Sequence, residues 1–79
     1  MSLKIKYFGK IVEVTGVSNE QIDSIEKMDL KGLRELLNQR YPNLKSESFQ
    51  IAVDHELRGD EFIIDLECEV AILPPFAGG

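Results

Sequence analysis

The segment that begins at Asp29 constrains the fold of this 79-residue chain more than any other. Asp29 is a favoured helix N-cap, because its carboxylate accepts hydrogen bonds from the unpaired backbone N–H groups of a first turn. Pro42 predicts where the helix ends. Between them the apolar side chains recur at helical spacing and form one stripe: Leu30, Leu33, Leu36, Leu37 and Tyr41. A single helix with one apolar face requires a sheet to cover that face.

The two ends of the chain predict the main strands of this sheet. Residues 3–8 and 69–73 alternate with the two-residue period of a half-buried strand. The side chains expected to face the helix are apolar: Leu3, Ile5, Tyr7, Val70 and Ile72. By the same alternation Phe8 and Leu73 point to the opposite face, where they would form an exposed apolar patch.

Shorter elements complete an α+β order. Residues 49–53 and 56–58 are predicted strands, joined by a polar turn at Asp54 and His55. Upstream we predict one helical turn and a further strand, at residues 10–15 and 18–27. The order indicates a mixed sheet covered by one main helix.

Composition and charge exclude several classes of protein. One cysteine and one histidine can form neither an intramolecular disulfide nor a four-ligand zinc site, so no metal is expected. Fourteen acidic residues against nine basic ones give a net charge of −5, which would repel nucleic acid. The longest apolar run is far short of the roughly 20 residues that a membrane span needs. Without an apolar signal segment at the N-terminus, the cytoplasm is the expected location.

The residues whose side chains could be reactive are interpreted as having no catalytic role. His55 lies in a predicted turn, away from any nucleophile motif. Cys68 stands between Glu67 and Glu69, and two neighbouring carboxylates would raise the pKa of its thiol. The acidic residues from Asp60 to Glu69 lack the spacing of a calcium loop and are interpreted as a solvated edge.

The unusual feature is the end of the sequence, which reads Leu73-Pro74-Pro75-Phe76-Ala77-Gly78-Gly79. Two prolines have no backbone N–H with which to continue a sheet, so the chain should leave the last strand as a stiff extended arm. Beyond Phe76 there is almost no side-chain bulk, and a di-glycine can thread a channel too narrow for a Cβ atom. We therefore predict a domain over residues 1–73 and an extended, flexible tail over residues 74–79. A frayed terminus is the alternative interpretation.

The ending LPPFAGG resembles the terminus of the MoaD-type sulfur carriers, the small subunits of molybdopterin synthase. The resemblance extends to the opening LKIKYFG, the helix DLKGLRELL and the hairpin AVDHEL. It implies a β-grasp, ubiquitin-like fold. It also implies that Leu57, in the hairpin, contacts the large subunit. Phe8 and Leu73, which alternation places on the outward face, are expected to form one partner-binding patch with Leu57.

The resemblance implies a division of labour between this chain and its partners. A ubiquitin-activating-type enzyme would use ATP to adenylate Gly79, and the carrier itself would bind no cofactor. Sulfur from a persulfide would displace AMP and leave a thiocarboxylate. The tail would then enter the large subunit, where sulfur is transferred to cyclic pyranopterin monophosphate during molybdenum cofactor biosynthesis. The chain would thus be a sulfur-donating, non-catalytic subunit of a sulfurtransferase.

Two alternatives remain open from the sequence. The first is a ubiquitin-like sulfur carrier that serves thiamine synthesis or tRNA thiolation. The second is a non-catalytic ubiquitin-like interaction domain, in which the di-glycine has no chemical role. The Leu-Pro-Pro that precedes the end of the tail favours the molybdopterin type.

Overall fold

A computed structural model describes residues 2–23, 27–64 and 67–75. Its strands in chain order are β1 (Ser2–Tyr7), β2 (Asn19–Asp23), β3 (Met28–Asp29), β4 (Gln50–Val53), β5 (Glu56–Arg58), β6 (Ile63–Ile64) and β7 (Cys68–Leu73). Its helices are α1 (Lys10–Thr15), α2 (Leu30–Arg40) and a 3-10 turn, Pro42–Ser46. The predicted helix and all five predicted strands are confirmed. The strand predicted at residues 18–27 is shorter, and its residues 24–26 lie outside the described part of the chain.

Five strands form the main sheet, in the order β2-β1-β7-β4-β5. The first and last strands, β1 and β7, lie side by side and run parallel, and the other neighbours are antiparallel. Leu3, Ile5 and Tyr7 are buried on one face of β1, as predicted. Val70 and Ile72 are fully buried on the same face of β7. The mixed sheet covered by one main helix is confirmed as a β-grasp fold by the structural neighbours described below.

Helix α2 packs its apolar stripe on this face. Asp29 caps the helix, because its carboxylate accepts a hydrogen bond from the Gly32 amide at 2.8 Å. Leu30, Leu33 and Leu37 have no exposed surface and join the buried side chains of β1 and β7 in one core cluster. The backbone N–H of Tyr41 closes the last turn on the carbonyl of Leu37 at 2.8 Å, and Pro42 then begins the 3-10 turn.

Strands β3 and β6 were not predicted from the sequence. They form a separate two-stranded ribbon, in which Met28 pairs with Ile64 and Asp29 with Ile63. The segment before β6 also holds the start of α2, since Leu30 N–H donates to the carbonyl of Phe62 at 3.0 Å. Two-residue strands are too short to show alternation, so their pairing depends on contacts between distant parts of the chain.

The hairpin between β4 and β5 turns at Asp54 and His55, as predicted. Both residues have positive φ angles, 48° and 73°, which match the type I′ turn favoured in two-residue hairpins. Within the described residues, no helix is long and apolar enough to cross a membrane.

Candidate functional site

The predicted tail begins where the sheet stops. Strand β7 ends at Leu73, and Pro74 and Pro75 follow without strand pairing. Pro74 is partly buried, whereas Pro75 is exposed. The remaining tail residues singled out by the sequence lie outside the described part of the chain: Phe76, Ala77, Gly78 and Gly79. Their role, and the domain boundary after residue 73, therefore stay predictions.

The three predicted partner-binding residues lie away from the helix, on the outer face of the sheet. Leu57 is 52% exposed and Phe8 43% exposed, and Leu73 is half-buried. None of the three belongs to the core cluster. They therefore do not fill the space between helix and sheet.

Strand register brings these side chains into one surface. Leu57 is paired with Ala52, and Ala52 is paired with Ala71 on β7. Leu73 lies two residues beyond Ala71 and so shares its face. Phe8 follows Tyr7, the partner of Ile72, and its N–H donates to the carbonyl of Ile72 at 3.1 Å. We call this surface the outer apolar face; it consists of Phe8, Ala52, Leu57, Ala71 and Leu73.

The outer apolar face adjoins the point where the tail leaves the sheet. Leu73 is at once a member of the face and the last residue before Pro74. On the same side of the sheet Lys6 is the cross-strand partner of Ala71, and its side chain pairs at 3.5 Å with Glu69, which lies towards the other end of β7. Because both side chains are well exposed, this ion pair contributes little to stability. A partner that covers the outer apolar face would thus lie directly beside the tail.

Cys68 is partly buried at the start of β7. The predicted direction of its pKa is confirmed, but the cause is different. Burial raises the pKa of the thiol, and the charge of Asp54 adds to this effect. The sequence neighbours Glu67 and Glu69, which the prediction invoked, are not the cause. At neutral pH the side chain is a thiol and a poor nucleophile.

We expect Cys68→Ala to leave the capacity to accept sulfur unchanged, because a protonated thiol at the start of β7 is far from the tail. The measurement is the intact mass of the variant after incubation with its activating system, with Cys68→Ser as the matched control for packing. His55, exposed in its hairpin turn, gives the same expectation for His55→Ala. A folded Cys68→Ala chain that cannot be thiolated would assign a direct chemical role to this thiol.

A polar cluster that sequence analysis missed joins β2 to the end of α2. Glu20 accepts hydrogen bonds from the hydroxyl groups of Tyr7 and Tyr41, and Arg40 Nε donates to it at 3.0 Å. The two tyrosine rings meet edge to face with 5.9 Å between their centroids. Glu20 lies on the same side of the sheet as the helix, since it pairs with Ile5. The cluster therefore fixes the helix end to the edge strand.

The protonation states follow from this geometry. Burial opposes ionisation of Glu20, but the hydrogen bonds from Tyr41 and Tyr7, and then the charge of Arg40, outweigh it and lower the pKa of the carboxyl group. Burial, followed by the hydrogen bond to Glu20, raises the pKa of Tyr7 and of Tyr41. A carboxylate with a lowered folded-state pKa stabilises the fold above its unfolded pKa of about 4.3, and this stabilisation is lost as pH falls through the folded value.

We expect Glu20→Gln to lower the free energy of unfolding by about 1–3 kcal/mol at pH 7, because the partly buried hydroxyl groups of Tyr7 and Tyr41 lose a charged acceptor. The difference from the parent chain should begin to shrink once the pH falls below the unfolded pKa of about 4.3, and it should vanish as the pH falls through the lowered pKa of Glu20 in the folded chain. Urea unfolding at a series of pH values measures this free-energy difference and its change with pH. Glu35→Gln, at an exposed position of α2, removes the same charge and is the control. A Glu20→Gln deficit that does not vary with pH would contradict this account.

Known proteins match nearly the whole sequence. A model of the ThiS family covers residues 5–79. The chain belongs to the ThiS family. Two curated relatives are each named molybdopterin synthase sulfur carrier subunit. The protein from Caenorhabditis elegans is 32% identical and that from Caenorhabditis briggsae 30%, and both alignments cover 100% of this chain and 99% of the relative. The resemblance to the MoaD-type sulfur carriers is thereby confirmed.

Several solved structures are similar in fold to the present one. A putative molybdopterin converting factor subunit 1 from Pyrococcus furiosus has a TM-score of 0.87 at 23% identity and covers 96% of this chain and 99% of its own. Small archaeal modifier protein 1 from Haloferax volcanii has a TM-score of 0.82 at 20% identity, with both chains fully covered. These likenesses confirm the β-grasp fold. A complex of subunits 1 and 2 of molybdopterin-converting factor from Helicobacter pylori matches at 28% identity with a TM-score of 0.68, again over both whole chains.

Proposed function

We propose that this chain is the sulfur-carrier subunit of a molybdopterin synthase. The observation that carries the proposal is the match, over the full length of both chains, to two relatives named as such subunits. The ending LPPFAGG and the end of β7 at Leu73 support it, because together they provide a folded body and a thin carboxyl-terminal arm. Gly79 is the proposed sulfur-bearing residue.

The chemistry of a carboxylate explains why such a carrier needs an activating partner. A terminal carboxyl group has a pKa of about 3.3–3.7, so at neutral pH it is an anion and a poor electrophile. Attack of one carboxylate oxygen on the α-phosphate of ATP would release pyrophosphate and form an acyl adenylate, from which AMP is a good leaving group. Attack by the terminal sulfur of a persulfide would displace AMP and form an acyl persulfide. Attack of a thiol on its S–S bond would then release a thiocarboxylate on Gly79 and leave the persulfide donor and the thiol joined as a disulfide. Two successive transfers would supply the two sulfur atoms of the dithiolene on the pterin.

The large subunit of the synthase is the proposed partner of the outer apolar face. Leu57 and Phe8 expose large apolar side chains on one side of a small protein, and such patches mark interaction sites. The relative from Helicobacter pylori is known in complex with subunit 2, which supports docking of a second subunit. Because the face adjoins Pro74, docking would direct the tail towards that subunit.

Charge favours a partner with a basic rim around its apolar groove. From residue 54 to residue 69 the sequence holds one arginine and seven acidic residues: Asp54, Glu56, Asp60, Glu61, Asp65, Glu67 and Glu69. Glu56 and Asp54 are exposed beside Leu57 in the hairpin. Complementary charges increase the association rate more than the affinity, so we expect association to slow with added salt.

Intact-mass analysis of the chain isolated from its own cells tests the proposal. We expect a species in which one oxygen of the terminal carboxyl group is replaced by sulfur, and we expect it to convert cyclic pyranopterin monophosphate to molybdopterin with the large subunit. A thiocarboxylate that serves only thiamine or tRNA thiolation would assign the chain to another sulfur pathway. A chain that is never thiolated would make it a non-catalytic interaction domain.

A further inference from the structure

Gly9 lies against the first residue of the tail. It follows Phe8 at the end of β1 and has a φ of +58° and a ψ of −135°, a conformation that L-residues rarely adopt. A Cβ atom built at this position would lie 3.2 Å from Cγ of Pro74 and 3.7 Å from its Cδ. The first distance is shorter than nine in ten real Cβ contacts, so Pro74 or the backbone of Gly9 would have to move by a few tenths of an ångström.

The contact follows from the parallel pairing of β1 and β7. The N–H of Phe8 donates to the carbonyl of Ile72, which brings the chain at Gly9 beside the exit of β7. Pro74 is the second residue after Ile72, and its ring is partly buried there. Its φ is fixed by the ring, and the following Pro75 restricts its ψ to the extended region, so the position of the ring constrains the direction of the backbone that follows. Gly16, whose φ is also positive, shows no such contact, since nothing lies within 4 Å of its Cβ position.

We propose that Gly9 is a positioning residue for sulfur transfer: because Gly9 has no side chain, the ring of Pro74 can pack against it, and this contact sets the direction of the tail. The inference rests on the proposed function, because it concerns how Gly79 reaches the pterin once the outer apolar face is docked. Five residues separate Pro74 from the carboxylate, a reach of about 17 Å when extended. A shift of Pro74 therefore changes the point and the direction from which these five residues must reach the pterin. Misplacement of a reacting group by about 1 Å can slow a reaction by as much as a hundredfold.

The experiment compares Gly9→Ala with Gly16→Ala, in the parent chain and in a Pro74→Ala chain. Each variant is prepared as a thiocarboxylate and mixed with the large subunit and cyclic pyranopterin monophosphate. The measured quantities are the dissociation constant for the large subunit, the rate constant of sulfur transfer at saturating large subunit, and the urea midpoint of each variant. Both glycine variants should lose stability, because each places a side chain at a positive φ.

We expect Gly9→Ala to lower the rate constant about tenfold with the dissociation constant changed less than about twofold, since docking is intact and the tail is misdirected. Gly16→Ala should leave both values within about twofold of the parent, as expected of a substitution that touches neither the tail nor the outer apolar face. In the Pro74→Ala chain, which lacks Cγ and Cδ of the ring, adding Gly9→Ala should lower the rate constant less than about twofold, because the contact is already absent.

Each outcome separates this inference from the proposed function. If the parent thiocarboxylate transfers no sulfur, the proposed function fails. If the parent is active but Gly9→Ala and Gly16→Ala transfer sulfur at equal rates, the contact between Gly9 and Pro74 has no role. The same follows if Gly9→Ala lowers the rate constant by the same factor with and without the Pro74 ring. Should Gly9→Ala fail to fold, Pro74→Ala alone decides: a slower transfer with an unchanged dissociation constant supports the inference, and a rate equal to that of the parent overturns it.

Discussion

Deletion of Gly79 is expected to abolish sulfur transfer while leaving the folded domain intact. The carboxylate would then belong to Gly78 and lie about 3.5 Å short of its place in both partners. Adding one residue after Gly79 should also abolish sulfur transfer, because the carboxylate would then lie beyond that place. The measurements are the intact mass after incubation with the activating enzyme and ATP, and molybdopterin formation with the large subunit.

Two controls make this prediction specific. The urea midpoint of the deletion variant should equal that of the parent, because all described core residues lie between Leu3 and Ile72. A Gly79→Ala chain keeps the length and adds one methyl group, so it tests the width of the channel separately from its depth. A shortened chain that still transfers sulfur at the parental rate would contradict the carrier mechanism proposed for this terminus.

The main elements of the fold could be predicted because their signals are local. The leucine stripe of α2 and the alternation in β1 and β7 each express burial on one face, which the sequence shows directly. The ribbon of β3 and β6 could not be predicted this way. Ile63 is 56% exposed although it lies in a strand, so its apolar character gives no sign of which face it occupies. Its pairing with Asp29 depends on the segment before β6 reaching the start of α2.

Part of the candidate site could also be predicted, again where the signal in the sequence is local. Alternation placed Phe8 and Leu73 on the outer face, whereas Leu57 depended on the resemblance to known carriers. Glu20 gave no local signal, because its tyrosine partners are 13 and 21 residues away in sequence. The contact of Gly9 with Pro74 joins the first and last strands, and only the assembled sheet brings them together.

Leu57→Asn is expected to weaken binding of the large subunit by about ten- to a hundredfold. Burial of a leucine side chain at an interface contributes roughly 1.5–3 kcal/mol, and each 1.4 kcal/mol corresponds to a factor of ten in the dissociation constant. Asparagine is uncharged, so the net charge and the electrostatic part of association stay as they are. Titration calorimetry with the purified large subunit measures the change.

Ile63→Asn is the matched control, because Ile63 and Leu57 are the two most exposed of the large apolar side chains that the structure describes. They differ in location: Leu57 is on the outer apolar face, whereas Ile63 is on the separate ribbon of β3 and β6. If exposure alone governed binding, the two variants would lose affinity equally. Docking through the outer apolar face requires instead that Ile63→Asn bind within about twofold of the parent, with the melting temperatures of both variants changed by only a few degrees. Equal losses, or a greater loss for Ile63→Asn, would move the docking surface to the ribbon and separate it from the exit of the tail.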